Sequence, residues 1–182
     1  MGRNDALRLV RLHISKNNNL KHMIAVGAVM KEVAARLGED AHKWEVVGIL
    51  HDIVFELCSR PSDHTIKAKD KLKGKVDNES IEAIMAHNYE HKNVPVDMKF
   101  KKALVACDAI TGLVIACALV MPSKKLADVK PESLKKMFDS KDFARNVNRE
   151  RIAVCNDIGI ALGSSLPCPS EAFGRFRASL DY

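Results

Sequence analysis

Aromatic residues are scarce in this chain, at 5% of 182 residues, and no basic stripe with interleaved rings runs through it. The formal net charge is only +6, and lysines gather merely in pairs such as Lys101-Lys102, Lys124-Lys125 and Lys135-Lys136. A dedicated nucleic-acid binder is therefore set aside, although an anionic small ligand suits the charge. Paired cysteine motifs are also absent. Cys58, Cys107, Cys117, Cys155 and Cys168 are odd in number and include no CxxC spacing, so neither a disulfide framework nor a zinc ribbon is indicated. A reducing compartment is the simplest reading. Met1 to Ile14 carries Arg3, Asp5, Arg8 and Arg11, which leaves no uninterrupted apolar stretch for a secretory signal. The expected location is cytoplasmic. Internal repeats, low-complexity stretches and period-two strand patterns are missing as well.

What is present is helical periodicity, with 47% hydrophobic residues to build a core. A short helix is expected over Asp5 to Ile14. Asn17 to Asn19 offer N-caps for a long helix to Leu37, stopped by Gly38. Further helices are expected from Asp40 to His51-Asp52, from the Arg60-Pro61-Ser62-Asp63 loop to Gly74, and from an Asn78 cap to about His87. An apolar helix runs from about Val96 to Val120. Pro131 opens Glu132 to Phe138, and Phe143 to Asp157 forms another helix. A loop rich in glycine, serine and proline precedes a last amphipathic helix holding Phe173, Phe176 and Leu180. The reading is one all-α domain over 1–182, with a core at about 19–120 and a helical extension at about 121–182.

Ala103 to Met121 is long enough to span a bilayer, at about 28 Å as a helix. Asp108 inside it would cost on the order of 2.5–3.5 kcal/mol at a bilayer centre. A central helix buried on all sides explains the same hydropathy, and no membrane partner is expected.

Seven histidines are present. A bare His-Asp doublet means little, since about 0.5 occurrences are expected by chance in a chain of this composition. The order says more: His22 in an early helix, His51-Asp52 closing the next, then His64, His87, and Asp108 in the apolar helix. This series resembles the HD superfamily of metal-dependent phosphohydrolases. The strings Asn19-Leu20-Lys21-His22-Met23, Gly48-Ile49-Leu50-His51-Asp52, Ala83-Ile84-Met85-Ala86-His87-Asn88 and Cys107-Asp108-Ala109-Ile110-Thr111-Gly112-Leu113 are similar to one bacterial and archaeal branch of it. So are Pro122-Ser123-Lys124-Lys125-Leu126 and Phe143-Ala144-Arg145-Asn146-Val147-Asn148-Arg149-Glu150. The likeness covers Asn19 to Ile152.

The resemblance implies a compact helical HD bundle with additional C-terminal helices, in which His22, His51, Asp52 and Asp108 hold a metal. Dinuclear members add two histidines before the last aspartate, places that His64 and His87 occupy, with Asp52 bridging. A rival arrangement pairs His87 with His91 at i, i+4. Imidazole and carboxylate donors suit Fe, Mn, Zn, Ni or Co, as one ion or two. A buried aspartate in so apolar a run is expensive unless paired, and a cation is its strongest partner. His13 and His42 are expected at the surface.

The implied activity is hydrolysis of a nucleotide-like phosphate ester or anhydride by hydroxide that the metal activates. Asp52, Glu56 and Lys124 are the expected catalytic residues. Glu56 stands four residues after Asp52, where some HD nucleotidases have their helper glutamate at three. Lys124, Lys125, Arg145 and Arg149 are expected to grip phosphate, the two arginines from one helix face. Two other readings remain open: a di-iron HD oxygenase and a non-catalytic nucleotide-sensing module. A homodimer is compatible with the sequence.

Overall fold

The computed structural model describes residues 1–60, 63–92 and 94–160, and these are helical and without strands. The expected terminal helix with Phe173, Phe176 and Leu180, and the loop before it, lie outside the described residues. In chain order the helices are α1 (Arg3–Arg11), α2 (Asn17–Leu37), α3 (Ala41–Leu50), α4 (His64–Leu72), α5 (Asn78–Ala86), α6 (Tyr89–Lys92), α7 (Lys99–Val120), α8 (Pro131–Asp139) and α9 (Arg149–Ala153). Single 3-10 turns lie at Phe55–Leu57, Leu126–Asp128 and Val154–Ile158.

α7 is the axis of the fold. It is long and apolar enough to cross a membrane, and 61% of its most apolar window is buried inside the protein. It packs against α2, α3, α5, α8, α9 and the Val154–Ile158 turn. Leu104, Ile110, Leu113 and Val114 are essentially inaccessible. Trp44 of α3 stacks on Phe100 of α7 at 5.0 Å between ring centroids. The most extensive helix pair is α2 with α3. It closes on two glycines, Gly27 and Gly48, whose backbones meet with no room for a Cβ at Gly48.

Several helix ends differ from expectation in an instructive way. Gly38 does end α2, at φ +70. Asp40 caps α3 by accepting from the His42 and Lys43 amides at 3.0 and 2.9 Å. The cap of α5 is Asp77, not Asn78, and it accepts from Ser80 at 2.8 Å. Asn17 to Asn19 lie inside the first turn of α2, whose N-cap Lys16 has no capping side chain.

Glu56, distant in sequence, supplies that cap. Its carboxylate accepts from the Ser15 and Lys16 amides at 2.9 and 3.0 Å, from the Ser15 hydroxyl at 2.6 Å and from Asn19 Nδ2 at 2.8 Å. A negative charge here also faces the positive end of the α2 dipole. These bonds, the Ser15 hydroxyl first, hold the Glu56 carboxyl down at about 2. Because the folded value lies below the unfolded one, the contribution is complete above about pH 4.5 and fades as pH falls toward 2. Glu56→Gln should therefore cost about 1 kcal/mol at pH 7. In urea melts the gap from wild type should narrow at pH 3; an equal gap at both pH values would refute the cap.

The helix expected over Phe143 to Asp157 is much shorter. Residues 141–146 form turns, and α9 starts only where Asn148 accepts from the Glu150 and Arg151 amides at 2.9 and 3.3 Å. The cause lies in Arg149. Its guanidinium donates to the carbonyls of Met137, Ser140, Phe143, Ala144 and Val147, folding the chain around itself. Ala144 takes φ 45 within this loop. Arg145 and Arg149 consequently share no helix face.

Candidate metal centre

Five elements of the fold deliver side chains to one place. His22 comes from the first half of α2, and His51 and Asp52 directly follow α3. His64 opens α4, His87 closes α5, and Asp108 sits midway along α7. His51, His64 and His87 are buried, at 0%, 5% and 3% exposure.

These six residues form two trios, His22, His51 and Asp108, and Asp52, His64 and His87, each with its donor atoms within 4.8 Å of one another. In the first, His22 Nε2 lies 3.0 Å from Asp108 Oδ1, and His51 Nε2 lies 3.8 Å from the same oxygen. In the second, Asp52 Oδ1 lies 3.2 Å from His64 Nε2 and 3.4 Å from His87 Nε2. The two nitrogens are 2.9 Å apart. Asp52 Oδ2 turns the other way, to 3.5 Å from His51 Nε2. The doublet thus joins the trios.

Local helix geometry fixes the rings. His51 Nδ1 lies 2.7 Å from the Gly48 carbonyl, and His87 Nδ1 lies 2.5 Å from the Ile84 carbonyl. In both cases the ring donates to a carbonyl three residues back, at the open end of its own helix. The proton then sits on Nδ1 and the lone pair on Nε2 faces the centre, the tautomer a ligating histidine needs. His51 Nε2 is buried and has no hydrogen-bond partner among the described residues. An orphaned lone pair of this kind is costly in a sealed interior and calls for a cation.

The spacing agrees. Nitrogen and oxygen donors about 2.1 Å from one small divalent ion stand about 3.0–3.4 Å from each other. The edges above lie in or close to that range, so the six residues fit a metal. The same neighbours set the protonation states. Burial pushes the His51 imidazole down to about 4, against the pull of Asp52 and Asp108, so it is neutral at pH 7. Burial also favours neutral His22, but the Asp108 hydrogen bond and charge prevail and raise it. Asp52 and Asp108 are held well below the usual carboxylate range: burial opposes this, and the surrounding imidazoles overcome it.

The other expected site residues fare differently. The oxygens of Glu56 are taken up by the α2 cap, not turned to the trios. Arg149 is engaged with its ring of carbonyls and not turned to the trios. Arg145 is exposed and paired with Asp142 at 2.9 Å. Lys124 is exposed, with φ 50, and lines a cleft of about 200 Å³ together with Asn18, Lys21, Ile115, Ala118, Leu119 and Leu126. Lys125 is exposed beside it. His42 is exposed and His13 half-buried. The rival partner His91 has its side chain outside the described residues.

One residue at the centre was not foreseen. Arg151 of α9 places Nη2 3.0 Å from Asp108 Oδ2 and 2.6 Å from the His87 carbonyl oxygen. Nothing in its spacing sets it apart from Arg145 and Arg149, and only the Asn148 cap, by fixing where α9 begins, aims it inward.

Comparison with known proteins gives one match. The family model described as HD domain matches residues 19–112, just over half of the chain and a stretch that contains all six clustered residues. No curated protein and no solved structure matches the chain.

Proposed function

The chain belongs to the HD domain family, and from that premise we propose that it is a metal-dependent phosphohydrolase acting on a nucleotide-like phosphate ester or anhydride. The observation that carries the reading is the pair of His/Asp trios sharing the His51-Asp52 edge, with the His51 lone pair buried and unpartnered. His22, His51 and Asp108 would hold one divalent cation and His64 and His87 a second, with Asp52 offering an oxygen to each trio. When bound, the cations supply a Lewis acid for phosphoryl oxygens and a source of hydroxide near neutral pH. The oxygen of water bonds to phosphorus as the ester or anhydride P–O bond breaks, and one proton of that water ends on the leaving oxygen.

The rest falls to the protein's own groups. The cleft beside the trios begins at Asn18, one turn before His22, and reaches Ile115, two turns beyond Asp108, so it starts roughly 6–10 Å along the helices from the ligands. Its aliphatic walls, Ile115, Ala118, Leu119 and Leu126, take the apolar part of the substrate. Lys124 at its edge supplies positive charge for the leaving group.

The test uses full-length protein stripped of metal and reloaded with Mn, Fe, Co, Ni or Zn. Phosphate or nucleotide release is measured across phosphomonoesters, cyclic nucleotides and dinucleoside polyphosphates. Release that depends on a reloaded metal is expected; silence with every metal across the panel would remove the reading. The four-histidine, two-carboxylate donor set also suits a pair of irons. Oxygen consumption by the iron form, without hydrolysis by the redox-inert zinc form, would transfer the site to oxygen chemistry.

A further inference from the structure

We infer that Arg151 is a positioning residue that holds Asp108 to one-oxygen ligation and ties the two metal positions to each other. The inference rests on the metal reading above and concerns a residue outside the matched family stretch. The two oxygens of Asp108 have different partners. Oδ1 faces His22 and His51, at 3.0 and 3.8 Å, while Oδ2 receives Arg151 Nη2 at 3.0 Å. With Oδ2 occupied by a guanidinium, only Oδ1 is free to act as a donor. A carboxylate that used both oxygens would fill one more coordination position, and a hydrolytic site needs that position open.

The same nitrogen, Nη2, also donates to the His87 carbonyl at 2.6 Å. His87 belongs to the other trio. One guanidinium nitrogen therefore touches a member of each trio, bracing the end of α5 against the middle of α7. Arg151 is itself well anchored. The Asn148 cap fixes its amide, Ile152 beside it is fully buried, and the Arg151 side chain is only 17% exposed. The positive charge has a second consequence. It repels a divalent cation, so Arg151 is not placed there to tighten metal binding. Its contribution is geometric.

This separates Arg151 from a ligand and from a purely structural residue. The probe is Mn2+ alone, titrated into metal-free full-length protein, with water-proton relaxation reporting how many exchangeable waters the bound ion keeps. For Arg151→Ala we expect Mn2+ affinity equal to or tighter than wild type and fewer exchangeable waters. Turnover of the best panel substrate should fall 10–100-fold in kcat with KM nearly unchanged. Arg151→Lys keeps the charge but lacks the fork, and should lie between the two; it also serves if the alanine variant melts early in its metal-free form. Wild-type water count and kcat in both variants would overturn the inference, and so would loss of Mn2+ binding with unchanged metal-free melting. Failure of wild type itself to bind Mn2+ would instead strike the metal reading.

Discussion

Asp52→Asn should empty both metal positions at once, whereas His64→Ala should empty one. Asp52 is the only clustered residue whose two oxygens address different trios: Oδ1 meets His64 and His87 at 3.2 and 3.4 Å, and Oδ2 meets His51 at 3.5 Å. The amide removes the negative charge and turns an N–H group toward lone pairs, where a cation would have stood. Losing an outer partner of a metal ligand typically costs 10–100-fold in affinity or activity, so losing the shared ligand should cost at least a hundredfold in kcat/KM. Elemental analysis of the full-length variants gives the direct reading. Two ions per chain in wild type, one in His64→Ala and none in Asp52→Asn is the expected series. Asp52→Asn with wild-type metal content would end the bridging assignment. Loss of both ions in His64→Ala would show that the trios are not separable.

The order of the histidines and aspartates made their clustering legible because each sits at a readable place in a helix. His51 and His87 follow the last residues of α3 and α5, where an open carbonyl end is available to orient a ring. Asp108 stood out because an acid in an apolar helix needs a partner. The structure gives it one partner that was not expected, since Arg151 takes the outer oxygen. The surroundings of Arg149, expected to grip phosphate, and of Glu56, expected to be catalytic, were illegible for a different reason. Arg149 and Glu56 carry the right charge for catalysis, but sequence does not reveal that one gathers the carbonyls of its own loop and the other caps a helix 40 residues away. Charge marks what a side chain can do, and only the tertiary fold decides which unsatisfied backbone groups reach it first. The same competition cut the expected Phe143 to Asp157 helix down to α9.

The close approach of α2 and α3 was equally hidden, and it sets the site's dimensions. An ideal Cβ on Gly48 would lie 2.7 Å from Gly27 Cα, 2.8 Å from Gly27 N and 3.0 Å from the Val26 carbonyl carbon. These are backbone atoms that cannot rotate away, so Gly48→Ala must push the helices apart. Overpacking of this kind costs on the order of 3 kcal/mol, or about 6–12 °C in Tm for a chain of this size. The displacement also reaches the proposed metal ligands. His22 lies five residues before Gly27 on α2, and the Gly48 carbonyl itself accepts the His51 Nδ1 proton. The two imidazoles, now 5.4 Å apart between centroids, ride on the two helices being separated. Gly48→Ala should therefore lose stability and metal together, the metal even below its melting temperature. Gly38→Ala supplies the control. Gly38 has φ +70 and open space around its missing Cβ, so it should cost about 1 kcal/mol of backbone strain and leave metal content unchanged. Melting curves and metal analysis on both variants decide the matter: a Gly48→Ala protein that melts like wild type and holds its metal would mean that the glycine contact does not set the distance between His22 and His51.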